Sequence, residues 1–258
     1  MATTNVNLET APAHAVLAAA GKTKLRPGGV AATEQLFEWA NFQPNETVLE
    51  LAASFGESAI AIAKRFGVRV MGIEKDPNSV AKAQERIQAE GLEDKVEIRQ
   101  GDIFRLDELS EQFDYVLAEA ILTMQSPSGK AKILQGISQR LKTGGKFLSH
   151  ELLAKQNEEE LHKLLAESNR VNATPLSESH WKEALKAAGL EVEKEKVGNM
   201  GLLNLNQMIR DEGALRTLKI VWNISTNPII RKRVLKMRDV YQNHSDDLGY
   251  IVLMAIAK

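Results

Sequence analysis

Thr47-Val-Leu-Glu-Leu-Ala52-Ala-Ser54-Phe-Gly56-Glu57 is the stretch that decides the fold. Its first six residues are β-rich and almost wholly apolar, and the turn signal Pro44-Asn45 introduces them, so they read as a buried strand. Ala59, Ile62, Ala63 and Phe66 then recur at helical spacing, which starts a helix near Glu57. The same alternation runs on to Lys146. Strands are expected at Val68–Ile73, Lys95–Arg99, Phe113–Ala118 and from Lys146 onward. Helices fall between them, marked by Val80, Ala83 and Ile87 and later by Ile133, Leu134, Ile137 and Leu141. That last helix is expected to stop at Thr143-Gly144-Gly145. Strands alternating with helices of this length are βαβ units, so the fold class is α/β: a doubly wound, mostly parallel sheet with helices on both faces.

Further along, Asn157–Val171 and Glu178–Ala188 read as helices, and Gly189 ends the second as a C-cap. Leu190–Val197 and Gly249–Ala257 read as strands, which brings the sheet to seven. Residues 198–248 lie between them as a helical insertion before the last strand. It carries three apolar patterns: Leu205, Met208 and Ile209; Leu215, Leu218 and Trp222; Ile230, Val234, Met237 and Tyr241.

Composition narrows the function. The chain has 258 residues, with 33 Lys+Arg against 34 Asp+Glu and no cysteine. Absent cysteine excludes disulfides, thiolate metal sites and cysteine nucleophiles. Five scattered histidines offer no metal-ligand spacing. Near-zero net charge argues against a nucleic-acid backbone or an anionic membrane as the main partner. No apolar run reaches the roughly 18 residues of a membrane span, and a cytoplasmic location is the default expectation.

In a doubly wound sheet, ligands bind at the carboxyl ends of the strands, where the order reverses. The loop after the first strand carries small residues at Ala52, Ser54 and Gly56, which let backbone approach a ligand. The helix behind them adds its N-terminal N–H groups. A dinucleotide fingerprint would need glycine at 52, 54 and 57, and the chain has Ala52, Ser54 and Glu57. The spacing it does meet is acidic-x-small-x-small-x-Gly, through Glu50, Ala52, Ser54 and Gly56. Glu74 closes the second strand, where a carboxylate can accept both hydroxyls of a ribose. Asp102 follows the third strand in Gln100-Gly-Asp102-Ile103. Any one of these acids could be an ordinary solvated strand-end charge. Three of them, at the ends of three consecutive strands, make a constellation.

That constellation resembles the S-adenosylmethionine-dependent methyltransferases with a Rossmann-like (class I) fold. The family usually carries glycine where this chain has Ala52 and Ser54. The resemblance extends upstream to Lys24-Leu-Arg26-Pro-Gly28-Gly29 and the helix Val30–Ala40, and downstream to Leu141-Lys-Thr-Gly144-Gly145-Lys146. It implies S-adenosyl-L-methionine as cofactor. Glu74 would hold the ribose, and Asp102 the adenine amino group, with Lys75 and Ile103 beside the ring. The methionine part would fall to the 50–56 loop, Arg26, Gly29 and Glu119. The expected organisation is a single domain: an N-terminal helical segment covering the cofactor site (1–43), a core (44–197 with 249–258) and, from its place before the last strand, a helical cap (198–248).

The motif names the reaction more firmly than the acceptor, because the cofactor supplies the electrophile. Ala118-Glu119-Ala120-Ile121 lacks the Asn/Asp-Pro-Pro-aromatic motif of amino-methylating DNA enzymes. Pyrimidine-carbon and arsenic methylation both need cysteines. A small, partly apolar acceptor is expected, with Leu202, Leu203, Met208 and Trp222 in part lining the cap above it. Glu119, His150 and Glu151 are the candidate bases, all expected on the rim of the cofactor pocket. Two other readings stay open. One is a catalytically silent S-adenosylmethionine-binding protein, motivated by Ala52 and Ser54. The other is an RNA methyltransferase using Arg231, Lys232, Arg233, Lys236 and Arg238, which otherwise form the solvated face of the last helix.

Overall fold

The computed structural model describes residues 7–170 and 172–258. The first six residues of the N-terminal segment, and Val171 at the expected end of one helix, lie outside it. The chain forms a seven-stranded sheet. Its strands are β1 (Thr47–Leu51), β2 (Arg69–Glu74), β3 (Val96–Gln100), β4 (Phe113–Glu119), β5 (Leu141–Ala154), β6 (Leu190–Asn199) and β7 (Leu248–Ala257). Their spatial order is β3-β2-β1-β4-β5-β7-β6. The pairs from β3 to β5 are parallel, and β7 runs antiparallel to both neighbours. The order reverses between β1 and β4, which opens the crevice where such sheets bind ligands.

Both faces are covered, which explains the near-continuous apolar strands. On one face α2 (Gly29–Ala40), α3 (Glu57–Phe66) and α4 (Pro77–Ala89) bury Leu36, Ile62 and Ala83 against Val48, Val70 and Ile98. On the other, α5 (Pro127–Arg140), α7 (Glu178–Ala187) and the 3-10 turn Ile103–Glu108 bury Ile133, Trp181 and Leu106 against Leu49, Val116 and Phe147. Local chemistry starts these helices where they start. Asp76 accepts from the N–H groups of Asn78 and Ser79 ahead of α4. Ser126 does the same for Gly129 ahead of α5. Proline takes the first position of both, where its missing N–H costs nothing.

The boundaries differ from expectation at three places. α5 ends at Arg140 rather than at the Gly144-Gly145 turn, because Leu141 already pairs with Phe113 of β4. The glycines then lie in a bulge of β5, with Gly144 at φ 76°. The helix expected from Asn157 is α6 (Glu158–Asn169). β6 and β7 each reach into the 198–248 segment, to Asn199 and from Leu248.

The rest of that segment is α8 (Leu205–Glu212), α9 (Ala214–Thr226) and α10 (Pro228–Asn243). They share one apolar cluster with α1 (Ala13–Ala19), built on Val16, Leu17, Met208, Ile220, Ile230, Val234 and Met237. The apolar pattern of α10 faces this cluster as expected. Of those of α8 and α9 only Met208 does: Leu205, Ile209, Leu215, Leu218 and Trp222 all face solvent. The inward side of α9 instead carries Thr217, whose hydroxyl donates to the Met208 carbonyl, and Asn223, whose amide donates to the Ala20 carbonyl. Arg233 also departs from the expected solvated face: it is buried and donates to the Leu8 and Glu9 carbonyls. No described helix is long and apolar enough to cross a membrane.

Candidate functional site

The loop leaving β1 has a backbone built for close approach. Ala52, Ser54 and Gly56 all lie in the left-handed region, at φ 53°, 50° and 70°. Glycine enters that region freely, whereas each L side chain there costs roughly 1 kcal/mol. Hydrogen bonds hold the shape. The N–H of Ala53 donates to the Ile73 carbonyl, that of Gly56 to Ala53, and that of Ser54 to the Glu74 carboxylate at 2.8 Å. Gly72 makes room beneath, since a Cβ there would lie 2.6 Å from that of Ala53 and 2.3 Å from Ile98 Cδ1.

The acids stand at consecutive strand ends. Glu74 accepts from Ser54 through one oxygen and from the Asp76 N–H through the other. Asp102 accepts from the Phe104 N–H and from Lys75 Nζ, both at 3.0 Å. The Phe104 N–H, then Lys75, hold its carboxyl below the usual carboxylate range. Lys75 is exposed and Ile103 is half-buried.

Deeper in the crevice lies a buried ionic cluster that no spacing in the sequence announces. Arg26 donates to the hydroxyls of Thr33 and Ser58 and lies 3.1 Å from Glu119 Oε2. It thereby joins an irregular N-terminal stretch to α2, α3 and β4. Glu50 is buried close by, and Glu119 Oε1 accepts from Thr33. The two carboxyls are driven apart. Burial raises Glu50 to about 8, with Arg26 pulling the other way and Glu119 adding to the rise. Burial also opposes ionisation of Glu119, yet the charge of Arg26, then His150 and Thr33, bring it down to about 2. At neutral pH one acid is protonated and the other is the anion that Arg26 neutralises.

His150 and Glu151 do not stand on the rim. Both are fully buried and accept from backbone N–H groups. The Gly28 N–H donates to His150 Nε2 at 3.0 Å, so that nitrogen is an acceptor and the proton sits on Nδ1, 3.4 Å from Glu119 Oε1. Burial lowers the pKa of this histidine, against the pull of Glu119, and keeps it neutral. Glu151 accepts from the N–H groups of Ile121, Leu122 and Thr123 and from the Thr123 hydroxyl. Four donors on one carboxylate shape the loop after β4 and leave no lone pair for an acceptor's proton. Burial raises Glu151 to about 7, with the Thr123 and loop donors opposing it.

Gly29 and the start of α2 are gripped from the insertion. Asp211 of α8 accepts from the Val30 N–H at 2.9 Å. A Cβ on Gly29, at φ 65°, would fall 2.5 Å from both Asp211 carboxylate oxygens. Next to it Glu212 accepts from both the N–H and the hydroxyl of Thr23 and from the Lys24 N–H, with buried Lys22 at 3.7 Å. The lining expected of the cap is divided. Leu202 and Met208 are spent in the apolar cluster, Leu203 packs against it, and Trp222 is 69% exposed.

A nucleoside linked to an amino acid fits these residues. Glu50 Oε2 is buried without a hydrogen-bond partner, and Glu119 Oε2 meets only the Arg26 guanidinium, at 3.1 Å. An unpartnered buried oxygen is expensive unless a ligand meets it.

The comparisons agree. A family model described as a methyltransferase domain matches residues 42–200. An uncharacterized protein of Haemophilus influenzae is 37% identical over 214 residues, covering 81% of this chain and 84% of its own. A phosphoethanolamine N-methyltransferase of Caenorhabditis elegans is 30% identical over 130 residues, which is 50% of this chain but only 29% of that one. Among solved structures, a methyltransferase of Geobacter sulfurreducens in complex with S-adenosyl-L-homocysteine superposes with TM-score 0.63 at 18% identity, covering 87% of this chain and 91% of its own. The chain belongs to the family of S-adenosylmethionine-dependent methyltransferases with the class I Rossmann-like fold.

Proposed function

We propose that the chain transfers a methyl group from S-adenosylmethionine to a small, partly apolar acceptor in the cytoplasm. The observation that carries this is the row of strand ends. A left-handed small-residue loop follows β1, the Glu74 carboxylate ends β2, and Asp102 follows β3. In this reading Glu74 holds the ribose and Asp102 the adenine, with Lys75 and Ile103 at the ring. The 50–56 loop, Arg26, Gly29 and Glu119 receive the methionine part. When bound, the cofactor supplies an electrophilic methyl on a sulfonium, and the protein's share is orientation and exclusion of water.

The chain's own groups then divide their roles. Glu119 is ionised and already balanced by Arg26, so it is a weak base and a good acceptor of donors. His150 and Glu151 act through backbone: one fixes Gly28 beside Glu119, the other shapes the loop after β4. We assign both as positioning residues rather than bases. Ile121 and exposed Met124 on that loop support a partly apolar acceptor. Relatives named for phosphoethanolamine and norajmaline N-methylation support a small acceptor.

Isothermal calorimetry tests the reading. The full chain is expected to bind S-adenosylmethionine and S-adenosylhomocysteine at micromolar levels, and Glu74→Ala to weaken both by about 10- to 100-fold through loss of a charged acceptor. Absence of heat with either compound would overturn it.

A further inference from the structure

The outward side of the helical segment combines exposed apolar side chains with segregated positive charge. Of eleven exposed large apolar side chains, eight lie on α8, α9 and α10. The row on α9 is the most exposed: Leu215 at 86%, Leu218 at 67% and Trp222 at 69%. These are spaced by three and four residues, so they form one stripe, with Lys219 within it. Leu205 and Ile209 extend the apolar surface on α8, and Leu235 lies among Arg231, Lys232, Lys236 and Arg238 on α10.

Charge is segregated in the same place. Residues 204–243 hold eight Lys+Arg against three Asp+Glu, in a chain of net charge −1. Of the three acids, Asp211 and Glu212 are turned inward onto α2 and the N-terminal stretch, and of the bases only Arg233 is buried. The outward surface is therefore basic and apolar at once, and the near-neutral total hides it.

We propose that this face of α8–α10 docks on an anionic lipid surface, with Leu215, Leu218 and Trp222 entering the headgroup–acyl boundary and the surrounding lysines and arginines meeting lipid phosphates. Helices lying in that plane carry leucine and tryptophan on one side and Lys/Arg beside them. Each basic residue near an anionic leaflet adds about a fivefold preference. A second copy of this chain would set one basic face against another, which charge opposes. RNA would satisfy the basic residues but leaves the aliphatic Leu215 and Leu218 without a partner. The docking needs no spanning helix and does not depend on the methyl-transfer reading.

Co-sedimentation of the full chain with vesicles tests it. Equimolar phosphatidylcholine and phosphatidylglycerol should retain the protein, phosphatidylcholine alone should not, and rising salt should release it. Leu215→Asp with Leu218→Asp is expected to lower partitioning at least about tenfold, with melting temperature and cofactor binding kept. Lys219→Glu gives an independent arm, with a loss of about tenfold on anionic vesicles. Three results would each overturn the proposal: equal binding to neutral vesicles, no binding to the anionic vesicles, or anionic-vesicle binding that neither variant lowers.

Discussion

The parallel sheet and the helical segment 198–248 solve opposite problems. Around β1 and β4 every apolar side chain is spent inward, on both faces, and the acids appear only at strand ends. In α8 and α9 the inward face carries Thr217, Asn223, Asp211 and Glu212, which bind backbone, while leucine and tryptophan face out. One region is held by burial and shows polarity to its ligand. The other adds polar contacts to backbone to the apolar cluster it shares with α1, and it shows apolar surface to its surroundings as well. A segment fixed by named hydrogen bonds can change its outer face without disturbing its docking.

That contrast breaks first at Glu212. Its side chain is fully buried and satisfies three donors of the 23–24 stretch beside Lys22. Glu212→Ala leaves a buried lysine unpaired and is expected to cost about 3–5 kcal/mol of the segment's stability. Hydrogen exchange should show the loss in α1 and α8–α10, with the amides of β1 and β4 keeping their protection. Uniform loss across the sheet would merge the two regions into one.

A smaller effect separates them by pH. Glu50 and Glu151 are raised to about 8 and about 7, so their contribution is full below pH 4.5 and is lost as pH rises through those values. Glu119, lowered to about 2, contributes above pH 4.5 and loses that contribution as pH falls towards 2. Urea midpoints should therefore fall on both sides of mildly acidic pH. Glu50→Gln should remove part of the alkaline limb, by roughly 2 kcal/mol at pH 8. An unchanged alkaline limb would show that Glu50 titrates normally.

The smallest effect concerns the loop after β1. Ala52→Gly should relieve the left-handed backbone and stabilise the chain by about 1 kcal/mol, read as a raised melting temperature. A lowered one would mean that the alanine methyl makes contacts worth more than its strain.

Most of the sheet was legible, because buried parallel strands are written as apolar runs of β-branched residues and their helices as a simple stripe. The strand-end acids Glu74 and Asp102 were legible too, since topology alone puts them at the crevice. His150 and Glu151 were misread. A register that ends two strands side by side does not say whether a side chain turns to solvent or to a neighbouring backbone, and both found buried N–H groups. The stripes of α8 and α9 were misread for a related reason. Periodicity finds an apolar face but not the direction of the core. The grip of Asp211 and Glu212 on the N-terminal stretch spans some 180 residues and leaves no local trace.

Arg26 carries a consequence for how this enzyme is bounded. The family match runs over 42–200, and it takes in the buried Glu119 anion without the Arg26 guanidinium that neutralises it. The balancing charge comes from upstream, on a stretch that α8 clasps from downstream. Charge balance in this cluster thus depends on residues on both sides of the matched portion. Trimming to the matched boundaries would remove the cation and strand β7 together, leaving Glu119 without its guanidinium and β5 without its antiparallel neighbour.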